Sequence, residues 1–156
     1  MLIPNLSTVS LFAAGALMFL ILGLIRRRRF RYVPVPLMTG NEREFFGRLR
    51  HALPDLLVFP QVSMAAIIAP AARGGRRRTA AFRRIAQKRV DYAVYTQNLT
   101  IVCVVELDDR MHNLGADARR DAYLRSAGIP TVRWHSRNKP DQAEIRQMIY
   151  LIRNSK

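Results

Sequence analysis

Residues 88–108 read KRVDYAVYTQNLTIVCVVELD, and the way this stretch folds decides the architecture. Residues 90–96 and 101–107 are rich in β-branched and aromatic side chains, while Gln97-Asn98-Leu99-Thr100 between them is polar. The pattern predicts two antiparallel strands joined as a hairpin. With Asn98 and Leu99 as a two-residue turn, Asp91 lies directly opposite Glu106. Opposed residues share a face with Cβ atoms about 4.5–5.5 Å apart, and Asp108, two residues on, projects from that same face. Three carboxylates are thus expected in one place. Like charges so close raise one another's proton affinity, so the cluster calls for a cation, and oxygen ligands of this kind suit Mg²⁺ or Mn²⁺. The same residues also read as a solvated strand end with Asp91 bonded to Lys88 or Arg89.

Outward from the hairpin, Thr39 and Glu42 form a capping-box signature ahead of Phe45, Phe46, Leu49 and Leu53, which predicts a helix over 40–52. Residues 56–63 read as a strand, and Pro60 within them marks an edge position or a bulge. Residues 70–79, with Gly74-Gly75 and four arginines, lack apolar periodicity and are expected to be a mobile loop. A helix over 116–127, stopped by Gly128, a short strand over 131–134 and a helix opened by Pro140, Asp141 and Glu144 complete the order. That order predicts an α/β class, a mixed central sheet flanked by helices. A single cysteine, Cys103, excludes an internal disulfide, and no Cys/His cluster has zinc spacing.

The N-terminus is different material. Residues 1–25 carry no ionisable side chain, and 6–25 read LSTVSLFAAGALMFLILGLI, about 20 residues at 1.5 Å each, enough to cross a hydrocarbon core. Arg26, Arg27, Arg28, Arg29 and Arg31 follow at once, so the positive-inside rule predicts a single-pass anchor over 1–25 with the rest of the chain in the cytoplasm. A cleaved signal peptide would carry its charge before the apolar run. Those arginines are also placed to touch anionic lipid headgroups. Residues 26–36, closing on Val33-Pro34-Val35-Pro36, form a basic, stiff spacer before a domain over 37–156.

The motifs Leu37-Met38-Thr39-Gly40-Asn41-Glu42, Lys88-Arg89-Val90-Asp91-Tyr92, Val105-Glu106-Leu107-Asp108-Asp109 with His112, Arg120-Asp121, and Ala127-Gly128-Ile129-Pro130-Thr131-Val132-Arg133 resemble a bacterial domain family of unknown function. That family is placed in the PD-(D/E)XK, or restriction-endonuclease-like, nuclease superfamily, near the very-short-patch-repair-type endonucleases. The resemblance covers about residues 37–136 and implies an αβββαβ core that binds Mg²⁺ or Mn²⁺. It implies that Asp91 is the first metal-binding aspartate, Glu106 the acid of the (D/E)XK element and Glu42 the acid from the first helix. The sequence departs at Asp108, which stands where the superfamily has lysine; Lys88 is the candidate substitute cation, and His112 a candidate proton carrier. On this likeness the anchor belongs to a bacterial inner membrane.

The chain carries 26 Lys plus Arg against 11 Asp plus Glu, a formal charge of +15. Arg73, Arg76, Arg77, Arg78, Arg83, Arg84, Lys88 and Arg89 occur between 56 and 90 with no acid among them. Dense phosphates are the natural partner of such a tract, so these residues are the expected nucleic-acid contacts, with DNA ahead of RNA. The expected function is a membrane-anchored, metal-dependent nuclease-like protein with Asp91, Glu106 and Asp108 as metal ligands. The alternatives are a catalytically inactive nuclease fold that binds nucleic acid at the membrane, and a tethered scaffold.

Overall fold

The computed structural model describes residues 6–26, 32–108 and 114–155, and the chain divides into two units, 1–35 and 36–156. The first unit contains helix α1 (Leu6–Arg26), whose Leu11, Phe12 and Phe19 are exposed. Among the described residues no helix is long and apolar enough to cross a membrane. The helix expected over 6–25 is there, but its crossing of a membrane gains no support from the described residues. Arg27, Arg28, Arg29 and Arg31 lie outside them.

The second unit runs α2 (Gly40–Ala52), β1 (Leu57–Ser63), α3 (Met64–Ile67), α4 (Gly75–Ile85), β2 (Arg89–Tyr95), β3 (Ile101–Asp108), α5 (Leu114–Ser126), β4 (Thr131–His135) and α6 (Gln142–Asn154). The sheet order is β1-β2-β3-β4, antiparallel through the first three strands and parallel between β3 and β4. The mixed α/β arrangement, the αβββαβ order and the closing helix (α6) expected from the sequence are all present, with α3 and α4 added.

Local chemistry sets the helix ends. The Thr39 side chain accepts from the Glu42 N–H while the Glu42 carboxylate accepts from the Thr39 N–H at 2.6 Å, closing the capping box that starts α2. Asp141 and Glu144 do the same for α6, so the cap is Asp141, one position past the Pro140 start expected from the sequence. Gly128, at φ 71, ends α5, and the Ile129 N–H reaches back to the Leu124 carbonyl at 3.0 Å. The tract expected to be a mobile loop is helical from Gly75 onward. Arginine and alanine are good helix formers, and α4 buries only Ile85, so apolar periodicity had nothing to report there.

The hairpin turn is longer than two residues. Thr96 and Thr100 close it, with the Leu99 N–H on the Thr96 carbonyl and Leu99 at φ 58. Pairing then shifts between Tyr95↔Ile101 and Val94↔Cys103, leaving Val102 as an extra residue in β3. The two departures cancel: Ala93 pairs with Val104 and Tyr92 with Val105, the register that sets Asp91 opposite Glu106.

Two apolar layers sandwich the sheet. Phe45, Leu49, Tyr92, Val94, Cys103, Val105, Val132, Ile145 and Ile149 pack under α2 and α6. Met64, Ile85, Val90, Ala93, Val104, Leu124 and Ile129 pack on the opposite face under α3, α4 and α5. Val90 and Tyr92 are two residues apart yet lie in different layers, which a regular strand forbids. The cause is the edge strand: the ladder pairs Pro60 with Tyr92 and Val62 with Val90, and between them Gln61 adopts φ 52. This kink, at the proline singled out in the sequence, rotates the pleat where Asp91 stands.

Candidate active site

Asp91 sits where β2 and β3 diverge beyond the Tyr92–Val105 pair. Its Oδ2 accepts the Leu107 backbone N–H at 2.9 Å, so the carboxylate holds the strand end that carries Glu106. Burial raises the proton affinity of Asp91; the Leu107 N–H opposes this, Glu42 adds to it, Arg120 opposes it and Asp108 adds again.

Glu106 is the one charged residue among the buried residues described, at 1% exposure. Beyond the bulge Cys103, Val105 and Leu107 fill the α2–α6 layer, so Glu106, like Val104, points toward α5. There its Oε2 meets Arg120 Nη2 at 2.9 Å, while its Oε1 has no hydrogen-bond partner among the described residues. Burial, then the charge of Asp91, push its pKa up to about 8 against the pull of Arg120 and Arg133.

Among the described residues no three His, Cys, Asp or Glu side chains are grouped to hold a metal, although Asp91 and Asp108 both act electrostatically on Glu106. Asp108 shares the face of Glu106, but Arg133 takes it at 3.1 Å and also holds Asp121 of α5 at 2.8 Å. Register explains this, since parallel β4 sets Arg133 beside Glu106 and next to Asp108. Glu42 lies within electrostatic reach of Asp91, but its Oε2 caps α2 and its Oε1 accepts from Gln61 Nε2 at 3.3 Å. Lys88 is half-buried on the turn before β2 and lines a cleft with Arg84 rather than facing Glu106; the cations that Glu106 feels are Arg120 and Arg133. His112 lies outside the described residues.

Of the basic tract, Arg73, Arg76, Arg77, Arg83, Arg84 and Arg89 are exposed. Arg78 is exposed too, but its Nη1 donates to the Pro70 and Ala72 carbonyls at 3.1 Å, so it also ties down the 70–72 segment. Tyr92 and Tyr95 are packing residues, on the α2–α6 layer and the α5 layer respectively.

Sequence reasoning missed Arg120, Arg133 and Gln61 as members of the site. A signal existed for the first of them. Leu124 is the buried residue of α5 among those described, and positions three and four earlier, Asp121 and Arg120, share its face and so look onto the sheet.

The residues present fit a hard divalent cation in one respect. Mg²⁺ is commonly held by one or two carboxylates together with water and substrate phosphate, and Asp91 with the open Oε1 of Glu106 supplies such a pair. No curated protein and no solved structure matches the chain. A family model described as "Protein of unknown function (DUF2726)" matches residues 34–152. That span takes in every element of the αβββαβ core and both carboxylates, and the chain belongs to this family.

Proposed function

We propose that residues 36–156 are a divalent-metal-dependent nuclease-like domain of PD-(D/E)XK type that hydrolyses phosphodiester bonds of nucleic acid. Glu106 carries the reading: a carboxylate at 1% exposure with one oxygen unpartnered is costly to keep unless something cationic completes it. Asp91 and Glu106 would hold Mg²⁺ or Mn²⁺, and the ion would activate a water and offset charge on the scissile phosphate. Asp91 also positions Glu106 through the Leu107 N–H, Arg120 balances the charge of Glu106, and Arg133 keeps Asp108 away from it.

The membrane part of the proposal rests on sequence. Residues 6–25 are free of charge, the arginine run follows them, and Leu11, Phe12 and Phe19 of α1 are exposed, features that support an anchor with the domain on the cytoplasmic side of a bacterial inner membrane. One observation favours a second reading, a silent fold that binds nucleic acid without cutting it: Arg120 already neutralises Glu106, and no lysine stands at position 108.

The full chain in neutral detergent, given supercoiled DNA or single-stranded RNA, should cut only when Mg²⁺ or Mn²⁺ is present. Asp91→Asn and Glu106→Gln should each lower the rate by at least about 100-fold. Cutting that persists in both variants rejects the assignment, and salt-sensitive binding without cutting selects the second reading.

A further inference from the structure

Between α4 and α5, on the side of the fold carrying Met64 and Leu124, lies a cleft of about 520 Å³ lined by Arg84, Lys88, Arg119 and Tyr123. Three of the four lining residues are cations and none is an acid. Among the described residues none of the three cations takes part in a salt bridge, although the acids elsewhere on this domain are heavily used: Glu44, Asp55, Glu106, Asp108 and Asp121 all hold an arginine or lysine. The cleft is therefore a concentration of positive charge that no described acid pairs with.

Its walls are fixed by the elements that fix the carboxylate site. Lys88 is held by its backbone, its N–H on the Ile85 carbonyl at 3.0 Å and its carbonyl accepting from the Met64 N–H at 2.9 Å. Three residues later the same chain reaches Asp91. Arg119 precedes Arg120, which turns inward to Glu106, so successive residues of α5 face the two sites. Tyr123, one turn after Arg119, adds a hydroxyl donor on an apolar ring that packs against the cluster containing Ile85 and Leu124.

We propose that this cleft seats a backbone phosphate of the nucleic-acid strand whose scissile phosphate reaches Asp91 and Glu106. The assignment rests on the nucleic-acid part of the function proposed above and adds Arg119 and Tyr123, which composition alone did not single out. Guanidinium groups bind phosphate oxygens in pairs of parallel hydrogen bonds, and a lysine adds a point charge. A strand held here would be fixed in register relative to the carboxylates.

The test is binding by the full chain in neutral detergent with EDTA, so that no cutting is needed, to a labelled single-stranded 12-nucleotide DNA over a range of salt. Arg84→Gln, Lys88→Gln and Arg119→Gln should each lower the slope of log affinity against log salt by about 0.7 and weaken binding roughly 3- to 10-fold. Arg137→Gln, the same loss of charge on an exposed residue outside the cleft, should leave the slope unchanged. Tyr123→Phe should weaken binding about 2- to 5-fold with no change in slope, through loss of one hydrogen bond. Circular dichroism on each variant confirms that α4 and α5 are intact. Slopes for the three cleft variants equal to that of Arg137→Gln would overturn the proposal. So would unchanged DNA binding with reduced retention on phosphatidylcholine vesicles containing phosphatidylglycerol, which would make the cleft a lipid-headgroup site. Because EDTA is present throughout, a lowered slope upholds the cleft even in a chain that never cuts.

Discussion

Replacing Glu106 by glutamine tests the centre of the argument without changing its shape. In the metal-free chain, burial and Asp91 move the Glu106 pKa from 4.5 to about 8. Between those values the folded chain keeps a proton that the unfolded chain has released. Stability therefore falls with rising pH across that window by about 1.4 kcal/mol per pH unit, and levels off above about 8. The full decline from this residue is roughly 5 kcal/mol. A neutral glutamine has no proton to lose, so Glu106→Gln should match the native chain near the low end of the window and exceed it by several kcal/mol above the high end. Asp91 is shifted in the same direction, and its share of the slope stays in the variant. Urea unfolding in EDTA at a series of pH values reads this out through Trp134, the only tryptophan, whose ring stands 5.7 Å from that of Phe45 in the α2–α6 layer. Saturating Mn²⁺ at about a hundredfold its Kd should restore about 2.7 kcal/mol to the native chain, more readily at high pH because the ion must displace the proton, and nothing to the variant. Parallel pH curves for the two proteins would refute the reasoning.

Asp91→Asn should keep the acceptor for the Leu107 N–H and unfold within about 1 kcal/mol of the native chain, whereas Asp91→Ala leaves that half-buried donor unmet and should cost about 1–3 kcal/mol in urea melts. Phe45→Ala should cost about 3–5 kcal/mol, because the ring is fully buried and meets both Tyr92 and Trp134 edge to face. Thr39→Ala should cost about 1 kcal/mol by opening the capping box of α2, with the thermal midpoint as readout. Arg78→Ala should speed proteolysis of the 70–72 segment by removing the guanidinium that holds the Pro70 and Ala72 carbonyls.

Much of the fold was legible because its signals are local. The Thr39–Glu42 and Asp141–Glu144 boxes, the stop at Gly128 and the β-branched runs on either side of Thr96–Thr100 each report on a few neighbouring residues, and each predicted element formed. Helix α4 escaped because its first turn is glycine and arginine and its apolar residues, among them Ala81, Phe82 and Ile85, come only in its second half, past the tract expected to be a loop. The hairpin register came out right through two errors that cancel, a turn one residue longer and a one-residue bulge, and only the pairing beyond the bulge mattered for Asp91. The site was less legible because it depends on which partner a charge finds across the fold. Nothing near Asp108 in sequence says that β4 will bring Arg133 to it.

Under the proposed nuclease function, that last pairing changes what an aspartate at position 108 means. A lysine there would bring positive charge to the face that Glu106 occupies; an aspartate brings the opposite, and alone would raise the proton affinity of Glu106 and Asp91 further, as its residual effect on both still does. Arg133 answers Asp108 and Asp121 together, and Arg120 answers Glu106, so the cationic share of the site comes from α5 and β4 instead of from β3. An arginine keeps its charge at any pH a folded chain meets, whereas a lysine in so buried a place could lose it. The exchange has a testable consequence for catalysis. If Arg120 does the work of the absent lysine, Arg120→Gln should lower metal-dependent cutting with little change in metal affinity. If Arg120 only neutralises Glu106, the same variant should free that carboxylate and tighten Mn²⁺ binding, read by calorimetry, while cutting is kept. The two outcomes fall on different measurements, cutting in one and metal affinity in the other, and both separate Arg120 from Lys88, whose replacement should alter nucleic-acid binding and leave metal affinity alone.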